Sequence, residues 1–344
     1  MNKSKFYSLV RLFVFLIFGI ALFYYIFHSQ QEEYRSQCLQ DPNHSGNCSL
    51  WSKLLQDTQH LDKTLMLLVM CGFIISNLMR ARRWVIMLET LGIKSGLWET
   101  FWAVQFGYFA NLALPRMGEF ARAGSLSRRL NAPLEKVLGT IISDRLLDVF
   151  VLMIFICIGL LLQTKVLFEF LSEKVSLLTL LKVGIAGIFV FVFFIYLLNT
   201  DRFYHPIIEK IKNRLSGLKD GIVSVVRNHN PMEMILLSFG IWIMYYSMTM
   251  LGLKAFTPTS GITLVQGLIV FIIGSVGMAI PTPGGIGSFH FLTMTALGIY
   301  GISRLDGFSY ANLSFILIQI MTISIFGIIG MTFLSKSKRV TPAA

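Results

Sequence analysis

The stretch AIPTPGGIGSFHF, residues 279–291, places two prolines, three glycines and a histidine between long apolar runs. Pro281 and Pro283 each lack a backbone N–H, and each disfavours helical geometry in the residue before it. A helix that enters this stretch must therefore end in it. The sequence predicts a broken helix, and the surroundings of the break decide what it means.

Those surroundings are strongly apolar. The chain of 344 residues has 54% hydrophobic and 14% charged residues and a mean hydropathy of +0.67, whereas soluble domains carry roughly 25% charged residues. Several apolar runs approach the roughly 20 residues that a membrane-spanning helix needs, and none alternates as a barrel strand does. The composition predicts an all-α, polytopic membrane helix bundle. The net charge of +12 is attributed to basic cytoplasmic loops, so no nucleic acid partner is expected.

The chain divides into three parts by hydropathy and charge. An apolar segment at 13–27 follows basic residues but precedes no small-x-small cleavage site, which favours a retained helix. The loop that follows it is acidic, which places it outside. We therefore expect an N-terminal membrane helix and external loop at 1–62, a transmembrane domain at 63–335 and a short cytoplasmic tail at 336–344.

Basic residues set the orientation of the other spans. The sequence RARRW at 80–84 and the loop at 200–230 are both rich in arginine and lysine, which favours the cytoplasm. Both termini are then expected in the cytoplasm, with residues 28–62 and 254–260 external. The further predicted spans are 65–79, 137–163, 176–199, 233–253 and 310–334.

Two remaining stretches, 97–131 and 262–303, must each return to the side from which they enter if this orientation is right. Proline and glycine interrupt both stretches near the middle, and each stretch lies between two clear spans. This order is typical of an inverted repeat with two re-entrant hairpins whose broken helices meet near the bilayer midplane. Non-helical backbone is tolerated at that depth only where it is buried in protein or lines a polar cavity. The two breaks therefore predict a site.

The second break offers backbone donors. Gly284, Gly285 and Gly287 allow a tight turn and leave backbone N–H groups uncovered, and Ser288 is positioned to cap the outgoing half-helix. A helix start carries unpaired N–H groups and the positive end of the helix dipole, which together suit a phosphate or carboxylate. The alternative is a simple kink that packs against its neighbours.

The first break, NLALPRMGEFAR at 111–122, carries charges. Arg116, Glu119 and Arg122 recur every three residues and so share one broad helical face. A charge at the centre of a membrane helix costs roughly 2.5–3.5 kcal/mol, so such residues usually pair and face a cavity. Glu119 can neutralise one arginine and leave the other free to bind a phosphate in bidentate fashion. The alternative is that all three lie in a solvated cytoplasmic loop.

A third charged group is SDRLLD at 143–148, within an apolar run. Asp144 and Asp148 share a helical face with Arg145 beside them, which predicts an internal ion-pair network or a contact with the arginines of the first break. The alternative is a helix end that snorkels to the cytoplasmic interface. We interpret the basic residues of RARRW as topology determinants and lipid-phosphate contacts rather than as site residues.

The external loop contains two of the four cysteines. Cys38 and Cys48 are expected to form a disulfide, because the outside compartment is oxidising. A metal site that includes His44 is the alternative, but no fourth ligand is evident. The sequence contains no phosphate-binding GxxxxGK[ST], HExxH or GxSxG motif, so we expect no cofactor.

The motifs NLALPRMGEFARAGSL, DRLLD and IPTPGGIGSFH, in this order and with RARRW upstream, resemble the flippase-like membrane family typified by the transmembrane region of lysylphosphatidylglycerol synthase. The resemblance covers most of residues 60–335. It implies a polytopic domain that moves lipids between leaflets, and in bifunctional members a separate soluble domain that attaches an amino acid to phosphatidylglycerol. Because this chain ends at Ala344, directly after the last predicted span, we expect that soluble domain to be absent.

Two positions depart from the family pattern. Family members often carry a glutamate where this sequence has Asp144 and another where it has His290. The aspartate keeps the charge. The histidine makes the charge depend on pH and on its surroundings, so the role of the carboxylate at that position does not carry over.

Three functions remain open on these residues. The first is a flippase or transporter for an anionic lipid, whose headgroup is held by the two breaks with Pro283 and the arginines among its contacts. The second is an intramembrane enzyme that acts on a lipid phosphate, with Asp144, Asp148 or His290 as acid or base. The third is a membrane partner that presents lipid to another protein. Membrane lipids with anionic headgroups are the expected partners, an oligomer or partner protein remains open, and the expected location is the bacterial plasma membrane.

Overall fold

The computed structural model describes residues 24–25, 27–32, 34–36, 39, 48–113, 117–163, 230–280 and 282–335. Within these ranges the chain is helical and contains no strand, so the prediction of an all-α membrane protein is confirmed. The predicted span at 176–199, the tail at 336–344 and most of the segment at 13–27 lie outside the described residues.

The helices are labelled in chain order. They are α1 Leu50–Gln59, α2 Lys63–Thr90, α3 Leu97–Ala113, α4 Gly118–Leu130, α5 Leu134–Leu162, α6 Pro231–Ala255, α7 Leu264–Ala279, α8 Ser288–Gly298, α9 Arg304–Phe315 and α10 Ile323–Ser335.

Four helices of the described ranges are long and apolar enough to cross a membrane. They are α2, α5, α6 and the continuous helix Arg304–Ser335, in which a π-helical segment at Ile316–Thr322 joins α9 to α10. Three of them contain a span predicted from hydropathy, and α5 ends one residue before the end of the span predicted at 137–163. Helix α2 continues well past the predicted end at residue 79, because Arg80 and Arg83 find partners inside the protein.

Shorter helices form two hairpins between these long helices. Helix α3 packs against α4, and α7 packs against α8. Glycine allows both close approaches: a Cβ atom on Gly118 would lie 2.6 Å from the Asn111 side chain, and one on Gly277 would lie 3.0 Å from the Ser288 carbonyl oxygen. Such contacts between small residues are a common way to pack membrane helices tightly.

The packing brings the two hairpins together. Helix α2 packs along α6, α3 packs along α10, and α3 also contacts the turn at Pro283–Gly285. A Cβ atom on Gly284 would lie 2.9 Å from Leu112 Cδ2. The residues next to the first break thus touch the second break, while Leu114, Pro115 and Arg116 lie outside the described residues.

Helix α1 is fastened to α9 by Lys53. Its ammonium group lies 2.8 Å from an Asp57 carboxylate oxygen and 3.2 Å from one of Asp306. Burial lowers the pKa of Lys53, but the hydrogen bond to Asp57 and the charges of both aspartates outweigh it, so the net pKa is raised. Lys53 therefore stays charged at neutral pH and holds α1 against the bundle.

Candidate functional site

A cavity of about 570 Å³ lies among the helices, bounded by residues of every helix from α2 to α10, by the turn at Pro283–Gly285 and by the π-helical segment. It reaches from Met66 to Arg80 along α2, a distance of about 21 Å at 1.5 Å per residue. Most of the lining is apolar or aromatic, and charged side chains line the Arg80 end. A concave site with apolar walls and a few convergent polar groups is the usual form of a ligand pocket.

Asp144 is the centre of the charged end. Its carboxylate accepts hydrogen bonds from Arg80 Nη1 at 2.8 Å, from Arg83 Nη2 at 2.5 Å and from Arg122 Nη2 at 3.2 Å. All four side chains are buried. The guanidinium group of Arg122 also lies over the ring of Trp84, 4.9 Å from its centroid. One aspartate on α5 thus joins arginines of α2 and α4.

Asp148, one turn further along α5, extends this network towards the cavity. Its carboxylate accepts hydrogen bonds from Arg80 Nη1 at 2.8 Å and from Arg83 Nη2 at 2.7 Å, and it lies 3.6 Å from Arg145 Nη1. Arg145 Nη2 also forms an ion pair with Glu119 at 3.1 Å. The prediction of an internal ion-pair network around Asp144 and Asp148 is confirmed.

The network carries excess positive charge. In the described part of the chain, four arginines interact with three carboxylates, namely Asp144, Asp148 and Glu119. Burying a charge away from water costs several kcal/mol unless partners and hydrogen bonds compensate it. The carboxylates provide that compensation for three positive charges. The remaining positive charge favours an anion nearby.

Several buried polar atoms of residues that line the cavity have no hydrogen-bond partner among the described residues. They are Arg80 Nε, Arg145 Nε, Glu119 Oε2, Trp242 Nε1 and Thr293 Oγ1. Most buried polar atoms in proteins are hydrogen-bonded, to protein or to ordered water. The cavity therefore offers a polar ligand N–H donors, a carboxylate acceptor and a hydroxyl group that can do either, which a purely structural cavity does not need.

The structure brings part of the predicted site together. Glu119, Arg145, Asp148, Gly284 and Gly285 all line the cavity. Arg122 and Asp144 lie in the network behind the wall, while Gly287, Ser288 and His290 are not among the lining residues. Arg116 lies outside the described residues, and Pro283 belongs to the turn itself.

The second break differs from the prediction in its details. Gly287, not Ser288, is the N-cap of α8, and as a glycine it provides no side-chain cap for this helix. The Ser288 hydroxyl instead donates to the Gly277 carbonyl at 2.8 Å and lies 2.9 Å from the hydroxyl of Thr282. Ser288 faces α7 and so ties the two arms of the hairpin together.

His290 lies in aromatic surroundings. Its ring is 4.8 Å from that of Phe315 and 6.2 Å from that of Phe308, centroid to centroid, and the side chain is buried. This packing at α8 and α9 explains how a histidine is accommodated in an apolar helix. It gives His290 a place in the core beside the cavity wall.

Two interpretations of the charged residues need correction. Arg122 is held by Asp144 and not left free, and among the described residues Glu119 pairs with Arg145 of α5 rather than with Arg122. Within RARRW, Arg80 and Arg83 are buried in the network, while only Arg82 extends to a half-exposed pair with Glu233. The spacing in the sequence was a signal for this network. Arg80 and Arg83 are three residues apart and so share a helical face, as do Asp144 and Asp148, which are four residues apart.

Other cavity residues carry no sequence motif. The Tyr245 hydroxyl accepts a hydrogen bond from Arg80 Nη2 at 3.4 Å. Asn111 Oδ1 accepts one from the Gly118 backbone N–H at 2.7 Å, which caps the start of α4. Gln319 lines the cavity from the π-helical segment. Such segments often mark functional sites, but isolated polar residues in apolar helices cannot be located from one sequence.

The structure shows which of three cysteines are free and which is disulfide-bonded. Cys48 is disulfide-bonded, and Cys71 and Cys157 are free. Cys38 lies outside the described residues, so its pairing with Cys48 stays a prediction.

These features define an α-helical integral membrane protein whose spanning helices surround a largely apolar cavity with a charged end. The family model for the lysylphosphatidylglycerol synthase TM region matches residues 49–327, and the chain belongs to this family. Membership connects the chain with lipid modification or transport and with membrane lipids as its partners. No curated protein and no solved structure matches the chain.

Proposed function

We propose that this protein is a lipid flippase that moves an anionic lipid, or a lipid-linked amphiphile, between the two leaflets. The observation that carries the proposal is the cavity, a largely apolar space whose lining residues include five buried polar atoms without a hydrogen-bond partner in the ranges that the structure describes. A phosphate headgroup could accept from Arg80 Nε, Arg145 Nε and other donors there, while the apolar wall accommodates glycerol and acyl carbons.

The charge of the network supports an anionic headgroup. Four arginines against three carboxylates leave one positive charge in the described residues, and Arg116 adds another in the sequence. A guanidinium group binds phosphate oxygens in bidentate fashion and stays charged when buried. We include Arg116, Arg122 and the backbone of the second break in the proposed headgroup site.

The order of the helices supports alternating access. A long helix, a short hairpin and another long helix follow one another as α2 to α5 and again as α6 to α10. We propose that the two hairpins are re-entrant and related as an inverted repeat. The protein would lie in a bacterial inner membrane with both termini on the cytoplasmic side. Rocking of one half against the other would then expose the cavity to each leaflet in turn.

The test is leaflet exchange in vesicles that contain the purified protein. Fluorescent phosphatidylglycerol should exchange faster than fluorescent phosphatidylcholine, and the mass of the lipid should stay unchanged. Arg145→Gln should slow the exchange of phosphatidylglycerol by about ten- to a hundredfold, because a hydrogen bond to a charged group is worth roughly 1.5–3 kcal/mol.

Arg128→Gln is the matched control, since Arg128 is exposed on α4 and donates to the Gly124 carbonyl, away from the cavity. It should exchange lipid at the parent rate. A parent protein that leaves both lipids in their original leaflet would contradict the proposal. A change in lipid mass would instead indicate an enzyme.

A further inference from the structure

A second cavity, of about 480 Å³, lies on the outer side of α4 and α5. Its lining is apolar except for Glu119 and Arg145, and several of its side chains, including Phe120, Ile142 and Leu146, are exposed on the face of the protein. We call this the α4–α5 groove. In a membrane-spanning bundle, an exposed apolar face of this kind contacts lipid.

The groove and the central cavity share a wall. Glu119, Arg145 and Val149 line both spaces. The Arg145 and Glu119 side chains are 39% and 26% exposed, and their ion pair measures 3.1 Å. This pair thus lies between an apolar surface groove and the charged end of the central cavity.

An ion pair in this place is costly if its role is only structural. A charged side chain in the centre of a membrane helix costs roughly 2.5–3.5 kcal/mol, and in the described part of the chain Arg145 Nε and Glu119 Oε2 find no hydrogen-bond partner. Arg80 and Arg83, by contrast, are almost fully buried and bound by two carboxylates each. The Arg145–Glu119 pair is the more weakly held part of the network and the part nearest to lipid.

We propose that the α4–α5 groove binds an acyl chain of a phospholipid whose anionic headgroup passes the Arg145–Glu119 pair to reach the central cavity. This proposal rests on the proposed function for the headgroup. A lipid phosphate replaces Glu119 as the partner of Arg145, so the guanidinium group keeps an anion throughout the passage. The acyl chain stays against Ile142, Leu146 and Val149, where it needs no polar contacts.

The first experiment uses phosphatidylglycerol with a photoreactive diazirine in one acyl chain, in phosphatidylcholine vesicles that contain the protein. Labelling of peptides with Phe120, Ile142 or Leu146 should saturate, and excess unlabelled phosphatidylglycerol should displace it. Labelling around Met153, which is exposed on α5 outside both cavities, should be weaker and should not saturate. Equal and unsaturable labelling at both places would overturn the proposal.

The second experiment fills the groove. Ile142→Trp should slow phosphatidylglycerol exchange by about tenfold, whereas Met153→Trp, on the same helix and also exposed to lipid, should exchange at the parent rate. Equal exchange by the two variants, with equal melting temperatures, would overturn the acyl-chain site and leave the flippase proposal standing. If the parent itself does not exchange lipid, the proposed function fails, and the labelling experiment alone decides whether the groove binds lipid.

Discussion

Arginine side chains in the core of this protein are held by their partners and not by solvent. Arg83 shows this most clearly, since it contacts Asp144, Asp148 and the Ser238 hydroxyl and is completely buried. Arg82, the residue before it, forms only a half-exposed pair with Glu233. Two neighbouring arginines in one basic cluster therefore have different roles.

Arg82 and Arg83 allow a direct comparison of what a buried and an exposed arginine each contribute to stability. Arg83→Ala leaves two buried carboxylates short of a partner, and removing one member of a buried ion pair typically costs roughly 3–5 kcal/mol. Arg82→Ala removes an exposed pair, which is worth about 0–1 kcal/mol. Thermal unfolding in detergent should show a clearly lower melting temperature for Arg83→Ala and little change for Arg82→Ala. Equal melting temperatures would contradict the assignment of Arg83 to a buried network.

At the scale of single elements, the turn at Pro283–Gly285 depends on backbone geometry. Gly284 has a φ of 57° and Gly285 a φ of 84°, a region that residues with a Cβ atom rarely adopt. A Cβ atom on Gly285 would also lie 2.5 Å from the sulfur of Met278. The turn thus combines two requirements for glycine.

Three glycine variants separate these requirements. Gly298→Ala adds a methyl group in open space at an ordinary φ and should be neutral, and Gly301→Ala meets no neighbour but has a φ of 80°. Gly285→Ala meets both obstacles, so it should destabilise most, with backbone strain alone costing about 1–3 kcal/mol. Unfolding temperatures should fall in that order. Gly285→Ala with the melting temperature of Gly298→Ala would show that the turn differs from this description.

Sequence predicts the elements better than their contacts. Proline and glycine mark the ends of α7 and the turn after it, and hydropathy marks α2, α5 and α6, because these signals are local. The partner of Glu119 is not local: Arg145 is reached only when α4 packs against α5. Likewise, the three-residue spacing of Arg80 and Arg83 puts both on one helical face, but the cluster RARRW alone does not say that this face turns inward, since that depends on the aspartates of another helix.

At the scale of the whole molecule, the cavity is formed by residues from widely separated parts of the described chain, from α2 to α10. Met66, Tyr108, Asp148, Tyr245 and Gln319 all line it, although they belong to five different segments. No single motif could have indicated its length or its apolar walls. The cavity follows from how the two hairpins pack between the long helices.

The proposed function can be tested by filling part of the cavity with a large side chain. Ser275 and Val276 are neighbours on α7, but Ser275 lines the cavity while Val276 is 41% exposed on the outer face. Ser275→Trp would occupy space that a headgroup needs. Val276→Trp places the same side chain on the outer face, outside the cavity.

Leaflet exchange of fluorescent phosphatidylglycerol by these two variants is the most direct test of the central claim, that lipid headgroups pass through this cavity. Ser275→Trp should reduce exchange by about tenfold or more, and Val276→Trp should match the parent, with both variants folded as judged by thermal unfolding. Exchange by Ser275→Trp at the parent rate would contradict the claim, because headgroups would then cross the membrane without using the cavity.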